Sequence, residues 1–147
     1  MYQFPLQKVL EYRQHLEEKE QLRLAQVQLQ TQQARLNVVK AKEVLSQGQE
    51  AYSRCQVQLD VSEALLASEY VIYLEKRLQA YQEALAKQEK RLQQQIKVTE
   101  KAMQERKIMD KLREKDFQRY QQEQAKIEQR HMDEAARNVF LRQKHNE

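Results

Sequence analysis

Glycine, proline, cysteine and tryptophan are nearly absent: Gly48, Pro5 and Cys55 stand alone among 147 residues, and there is no Trp. One glycine cannot build a phosphate-cradling loop, and neither GxxxxGK[ST] nor GxGxxG occurs. Strands and tight turns draw on Gly, Pro, Asn and β-branched runs, all scarce here, so a β-rich fold is excluded. One proline at position 5 leaves the rest of the chain without a strong helix breaker. A lone cysteine forms no internal disulfide, and the simple reading is a reducing compartment. No stretch reaches the roughly 18 consecutive apolar residues of a membrane span, and no signal-peptide pattern opens the chain. A cytoplasmic protein without direct membrane insertion is expected.

What is present favours helix. A third of the residues are charged, 40% are apolar and Gln is abundant. That mixture belongs to long helices and coiled coils, and apolar content at regular spacing argues against disorder. From Leu6 a seven-residue repeat emerges. Leu24, Thr31, Val38, Leu45, Tyr52 and Leu59 share one position, and Val27, Ala34, Ala41, Gly48 and Cys55 share its companion. Alternating steps of three and four define a coiled-coil seam. The small residues at the second position permit close approach of a partner helix.

A second seam follows "SEALLASEY": Leu74, Leu78, Tyr81, Leu85, Leu92, Ile96, Met103, Met109 and Leu112, then Phe117, Tyr120 and Ile127. Gln88 and Arg106 interrupt it, and its register drifts past Ile96. Between the seams, "LDVSEALLASEY" has no heptad pattern, while Ser62–Glu63 or Ser68–Glu69 offers a helix N-cap with an acidic first turn. A bend is therefore expected within about 60–69. The expected fold is all-α: a long antiparallel two-helix coiled coil, a helical hairpin forming one rod. Helix 1 is expected over about 5–60, helix 2 over about 69–141, with a short frayed C-terminal tail.

Few residues invite chemistry. In "EQRHMDEAARNVF", His131 and Asp133 stand two apart and point to different helix faces. His131 with Glu128 or Glu134 has the one-turn spacing of metal ligands, yet two ligands do not make a site. Cys55 holds a seam position, where a thiol acts as a small apolar group. No cofactor is expected, and the chain reads as a non-enzyme. Between Glu75 and Arg119 there are 13 Lys/Arg against 8 Asp/Glu within a chain of net charge +4. The signs are interleaved, which fits solvated i, i+4 pairs and an acidic protein partner better than nucleic acid. The tyrosines Tyr52, Tyr70, Tyr73 and Tyr81 flank the expected bend. Four of them cannot all face a two-helix seam, which marks that end as a binding surface.

The opening "YQFPLQKVLEYR", "EYVIYLEKRLQAYQEAL" after the bend, "KLREKDFQRY" in the second helix and "HMDEAARNVF" near the end resemble the FliJ family of flagellar export proteins. The likeness spans most of the chain. It implies an antiparallel coiled coil similar to the central stalk of rotary ATPases, working in the cytoplasm at the membrane face of the flagellar base. The implied partners are the hexameric export ATPase, the cytoplasmic domain of the export gate membrane protein, and export chaperones. Carried onto this sequence, Phe4, Leu6, Val9 and Leu10, opposed by the C-terminal helix through Met132, Ala136 and Phe140, would enter the ATPase ring. Leu45, Tyr52, Tyr70, Leu74, Arg77 and Tyr81 would face the gate. The alternatives are a generic dimeric structural coiled coil and a basic helix that binds nucleic acid.

Overall fold

The computed structural model describes residues 2–58 and 61–145, with the side chains of 2–57 and 61–141. Two α-helices account for nearly all of it: α1 (Gln7–Gln58) and α2 (Val61–His145). They pack against each other as an all-α helical hairpin. The partner of the first seam is thus α2 of the same chain. Pro5 stands in the turn just ahead of α1, where the Gln7 amide donates to the Phe4 carbonyl at 3.1 Å.

α1 ends at Gln58 and α2 begins at Val61, and residues 59–60, where the expected stretch of about 60–69 starts, lie outside the described residues. Residues 61–69 are already helix. "VSEALLASEY" contains neither Gly nor Pro, so nothing delays helix formation, and Glu63 places its charge in the positive first turn. Ser62 and Ser68 therefore lie inside α2 rather than capping it. At the far end α2 continues to His145, past the expected limit near 141.

The chain divides into two compact units, Met1–Leu16 with Ala102–Glu147 and Glu17–Lys101. Within the 17–101 unit, α1 packs through Leu24, Val27, Thr31, Ala34, Val38, Ala41, Leu45, Gly48, Tyr52 and Cys55, the two heptad positions read from the sequence. Leu59 falls outside the described residues. Cross-helix contacts run antiparallel: Arg35 pairs with Glu89 at 3.0 Å, and Gly48 lies against Leu74. Val27, Val38 and Leu74 are the buried hydrophobic side chains of this seam, at 6%, 7% and 3% exposure. Thr31 is fully buried, and its hydroxyl is satisfied by the Val27 carbonyl at 2.8 Å in its own helix.

The second seam corrects the sequence reading. Packed positions in α2 keep one heptad spacing through Leu74, Leu78, Tyr81, Leu85, Gln88, Leu92, Gln95 and Thr99. Ala102, Arg106 and Met109 continue it along the helix. Gln88 and Arg106 occupy the register instead of interrupting it. Ile96 and Met103 flank it, which made an unbroken repeat look as if it drifted. Leu112 and Ile127 stay exposed, at 44% and 43%. An apolar count misplaces a seam whose members include Gln, Thr and Arg.

Candidate functional site

The unit of 2–16 and 102–145 holds the terminal residues singled out above. Leu10 is completely buried and Phe4 nearly so, whereas Leu6 and Val9 remain 44% and 42% exposed. Arg13 pairs with Glu105, which aligns this part of α1 with α2 well before Met132. Ahead of α1, the N-terminal segment straps across α2 through Tyr2. Its ring meets Phe117 edge-on at 5.1 Å and Tyr120 at 5.3 Å. Its hydroxyl donates to Asp116 Oδ2 at 3.0 Å and lies 3.3 Å from the Arg113 carbonyl. A groove of about 930 Å3 opens beside this clasp, with Phe4 and Phe117 on its apolar side and Asp110, Lys111 and Glu114 on its charged side.

The expected opposition of Phe4, Leu6, Val9 and Leu10 to Met132, Ala136 and Phe140 is therefore not what the helices form: the N-terminal segment meets α2 at 110–120. Helix lengths explain why. α1 has 52 residues and α2 has 85, so α2 is longer by 33, of which the segment ahead of α1 covers only a part. The packed seam ends at Tyr120, and every described side chain from 121 to 141 is exposed. Met132 is 73% and Phe140 64% exposed. Met132, Ala135, Ala136, Val139 and Phe140 recur at three and four residues and share one face of this helix. His131, Asp133 and Glu134 are exposed on the same segment.

Tyr2 has a pH signature. Desolvation against α2, then the hydrogen bond to the Asp116 carboxylate and its charge, raise the Tyr2 hydroxyl above its ordinary value of 10.0. A raised folded value means the clasp contributes fully below the phenol's unfolded value near 10 and is lost as pH climbs through the folded one. Subtracting the tyrosinate absorbance titration of Tyr2→Phe from that of the parent should isolate a phenol ionising above 10. A difference curve centred at or below 10 would refute the clasp.

In the 17–101 unit, the bend-side candidates divide by burial. Tyr70 and Tyr73 are exposed at 51% and 56%, with centroids 6.4 Å apart and nearly parallel rings. Arg77 is exposed, donates to the Tyr81 hydroxyl at 3.2 Å, and lies 5.6 Å from that ring's centroid. Leu45, Tyr52 and Tyr81 are half-buried in the seam. Leu74 is buried against Gly48 and presents almost no surface. A groove of about 280 Å3 runs over this face, between Asn37, Lys40 and Val44 of α1 and Leu74, Arg77 and Tyr81 of α2. Lys40 and Val44 were missed by sequence reasoning. They sit one position away from the seam residues Ala41 and Leu45, and no local pattern marks such a neighbour.

Sequence reasoning also missed the polar seam of α1. Carrying its alternating spacing back from Leu24 lands on Glu20, Glu17, Arg13 and Leu10. Glu17 and Glu20 are both 6% exposed.

The profile of the family described as Flagellar FliJ protein matches residues 2–145. The chain belongs to the FliJ family. No curated protein and no solved structure matches it. As a FliJ-family member it is a component of the flagellar export apparatus, with a place in flagellum biogenesis and protein export. Neither described helix is long and apolar enough to cross a membrane.

Proposed function

We propose that this FliJ-family chain is a non-enzymatic stalk that engages the export ATPase ring and links it to the export gate and to substrate chaperones. The observation that carries the reading is the free end of α2. Twenty-one consecutive described residues, 121–141, are exposed, with an apolar stripe from Met132 to Phe140. A helix of this kind gains stability by laying its apolar face on another surface. Phe4 and Leu10 serve to hold the hairpin's terminal end closed, and the ring contacts fall to Met132, Ala136 and Phe140, with exposed Leu6 and Val9 nearby in sequence to the clasp. Contacts that differ from one ring subunit to the next bias the nucleotide state of each, because a ligand shifts an equilibrium only by differential affinity.

The gate contact belongs to the tyrosine face: Tyr70, Tyr73, Arg77 and Tyr81, with half-buried Leu45 and Tyr52 framing it. Rigid, amphipathic tyrosines beside an arginine are the side chains that dominate protein interfaces. The protein works in the cytoplasm, at the membrane face of the flagellar base, through its partners and without inserting itself.

The test is to titrate the full chain into the export ATPase while following ring assembly and hydrolysis together, with binding to the gate's cytoplasmic domain measured in parallel. Both ATPase readouts should rise and saturate. Flat curves in both remove the stalk reading, and undiminished gate binding by Tyr70→Ala/Tyr73→Ala removes the tyrosine face from it.

A further inference from the structure

The 17–101 unit contains a buried polar layer for which the stalk reading has no use. Glu20 is 6% and Thr99 4% exposed, both in the seam between the helices. Glu20 Oε1 accepts from Arg23 at 2.7 Å, and Oε2 accepts from Gln95 Nε2 at 2.7 Å. Gln95 Nε2 also lies 3.5 Å from the Glu20 main-chain oxygen. Thr99 Oγ1 is 3.3 Å from that same oxygen and 2.9 Å from the Gln95 carbonyl, so its one proton is shared between two acceptors. Among the described residues, no buried side-chain nitrogen or oxygen lacks a partner.

Two donors one turn apart on α2 thus converge on a single main-chain oxygen of α1. That geometry differs in kind from two further cross-helix polar contacts in the unit. Arg35–Glu89 and Gln30–Gln88 join the tips of long side chains, with Gln88 half-buried in the seam, and such tips follow a sliding helix by changing rotamer. A main-chain oxygen moves only with its helix. A heptad seam is periodic, so a slide of seven residues, about 10 Å, brings seam position back to seam position. It does not restore this layer. Seven residues from Thr99 stand Leu92 and Arg106, and seven from Gln95 stand Gln88 and Ala102. Neither pairing supplies a hydroxyl and an amide together.

We propose that Glu20, Gln95 and Thr99 form an alignment lock, which selects one axial register of α2 on α1 and adds nothing to stability over an apolar layer. Buried polar groups are costly to desolvate, and replacing a whole network by apolar side chains is often neutral or stabilising. What such a network supplies is discrimination between alignments.

The experiment uses the full chain with Cys55→Ser, and with Lys42→Cys and Lys101→Cys carrying spin labels at two exposed positions. The parent should give one interlabel distance. Glu20→Leu/Gln95→Leu/Thr99→Val should give a second population displaced by about 10 Å, with a melting temperature no lower than the parent's. A single unshifted distance in the triple variant overturns the proposal, and so does a lowered melting temperature. Should the triple variant fail to fold, Thr99→Val is set against Thr99→Ser. The lock requires the distance distribution to broaden in the valine variant and stay narrow in the serine one, and equal widths overturn it.

Discussion

Ending the chain after Tyr120 is expected to leave the hairpin folded and to abolish stimulation of the export ATPase. The residues removed contribute no buried side chain among those described, since 121–141 are exposed throughout. The packed seam has ended by then, closed by the rings of Tyr2, Phe117 and Tyr120. Fraying of the new helix end costs little, because terminal turns are marginal in any helix. Thermal unfolding should therefore shift by no more than about 1 kcal/mol, the scale of surface changes. Binding to the ATPase should weaken by at least about a hundredfold, near 2.7 kcal/mol, as expected when the central apolar contacts of an interface are lost. Circular dichroism melts and an ATPase titration on the same preparation separate the two effects. A collapse in melting temperature would mean the segment supports the fold; unchanged stimulation would move the ring contact elsewhere.

The second large effect concerns the fold. Leu74→Ala should cost about 2–5 kcal/mol, the range for removing a fully buried leucine and leaving a cavity. Leu74 is 3% exposed, and an added Cβ on Gly48 would sit 2.9 Å from its Cδ1. The opposing position therefore holds no side chain that can lean into the space. Gly48→Ala on its own sets a helix-propensity gain of about 1 kcal/mol against that close contact. In the Leu74→Ala background the contact disappears and the new methyl enters the cavity. Gly48→Ala should therefore be markedly more favourable in the double variant than alone, a coupling that urea unfolding of all four proteins measures. Additive effects would show that the two residues do not share the space. Weaker gate binding by Leu74→Ala would reflect this loss of packing, because Leu74 has almost no surface to offer a partner.

Much of this architecture is legible in the sequence. The helical class followed from the near absence of Gly and Pro, and the first seam from steps of three and four between Leu24 and Cys55. Both are local properties, carried by neighbours one or two turns apart. The second seam was read less well because hydrophobicity and packing part company there. Gln95 and Thr99 belong to the interface while Ile96 lies beside it. Of the bend-side tyrosines, Tyr52 lies on α1 and Tyr70, Tyr73 and Tyr81 on α2, and spacing alone does not tell exposed Tyr70 and Tyr73 from buried Leu74.

Residue types and their periodicity were enough to establish long helices with two seams, and the quoted stretches carried the family likeness. Which part of α2 faces the N-terminus required the tertiary structure, because alignment depends on where the chain turns and on long-range contacts such as Arg13–Glu105 and the Tyr2 clasp. A heptad repeat specifies a face but not an axial position, since it matches itself every seven residues. Phe140, which the family resemblance set opposite Phe4 at the terminal end, stands instead on an exposed stretch of α2.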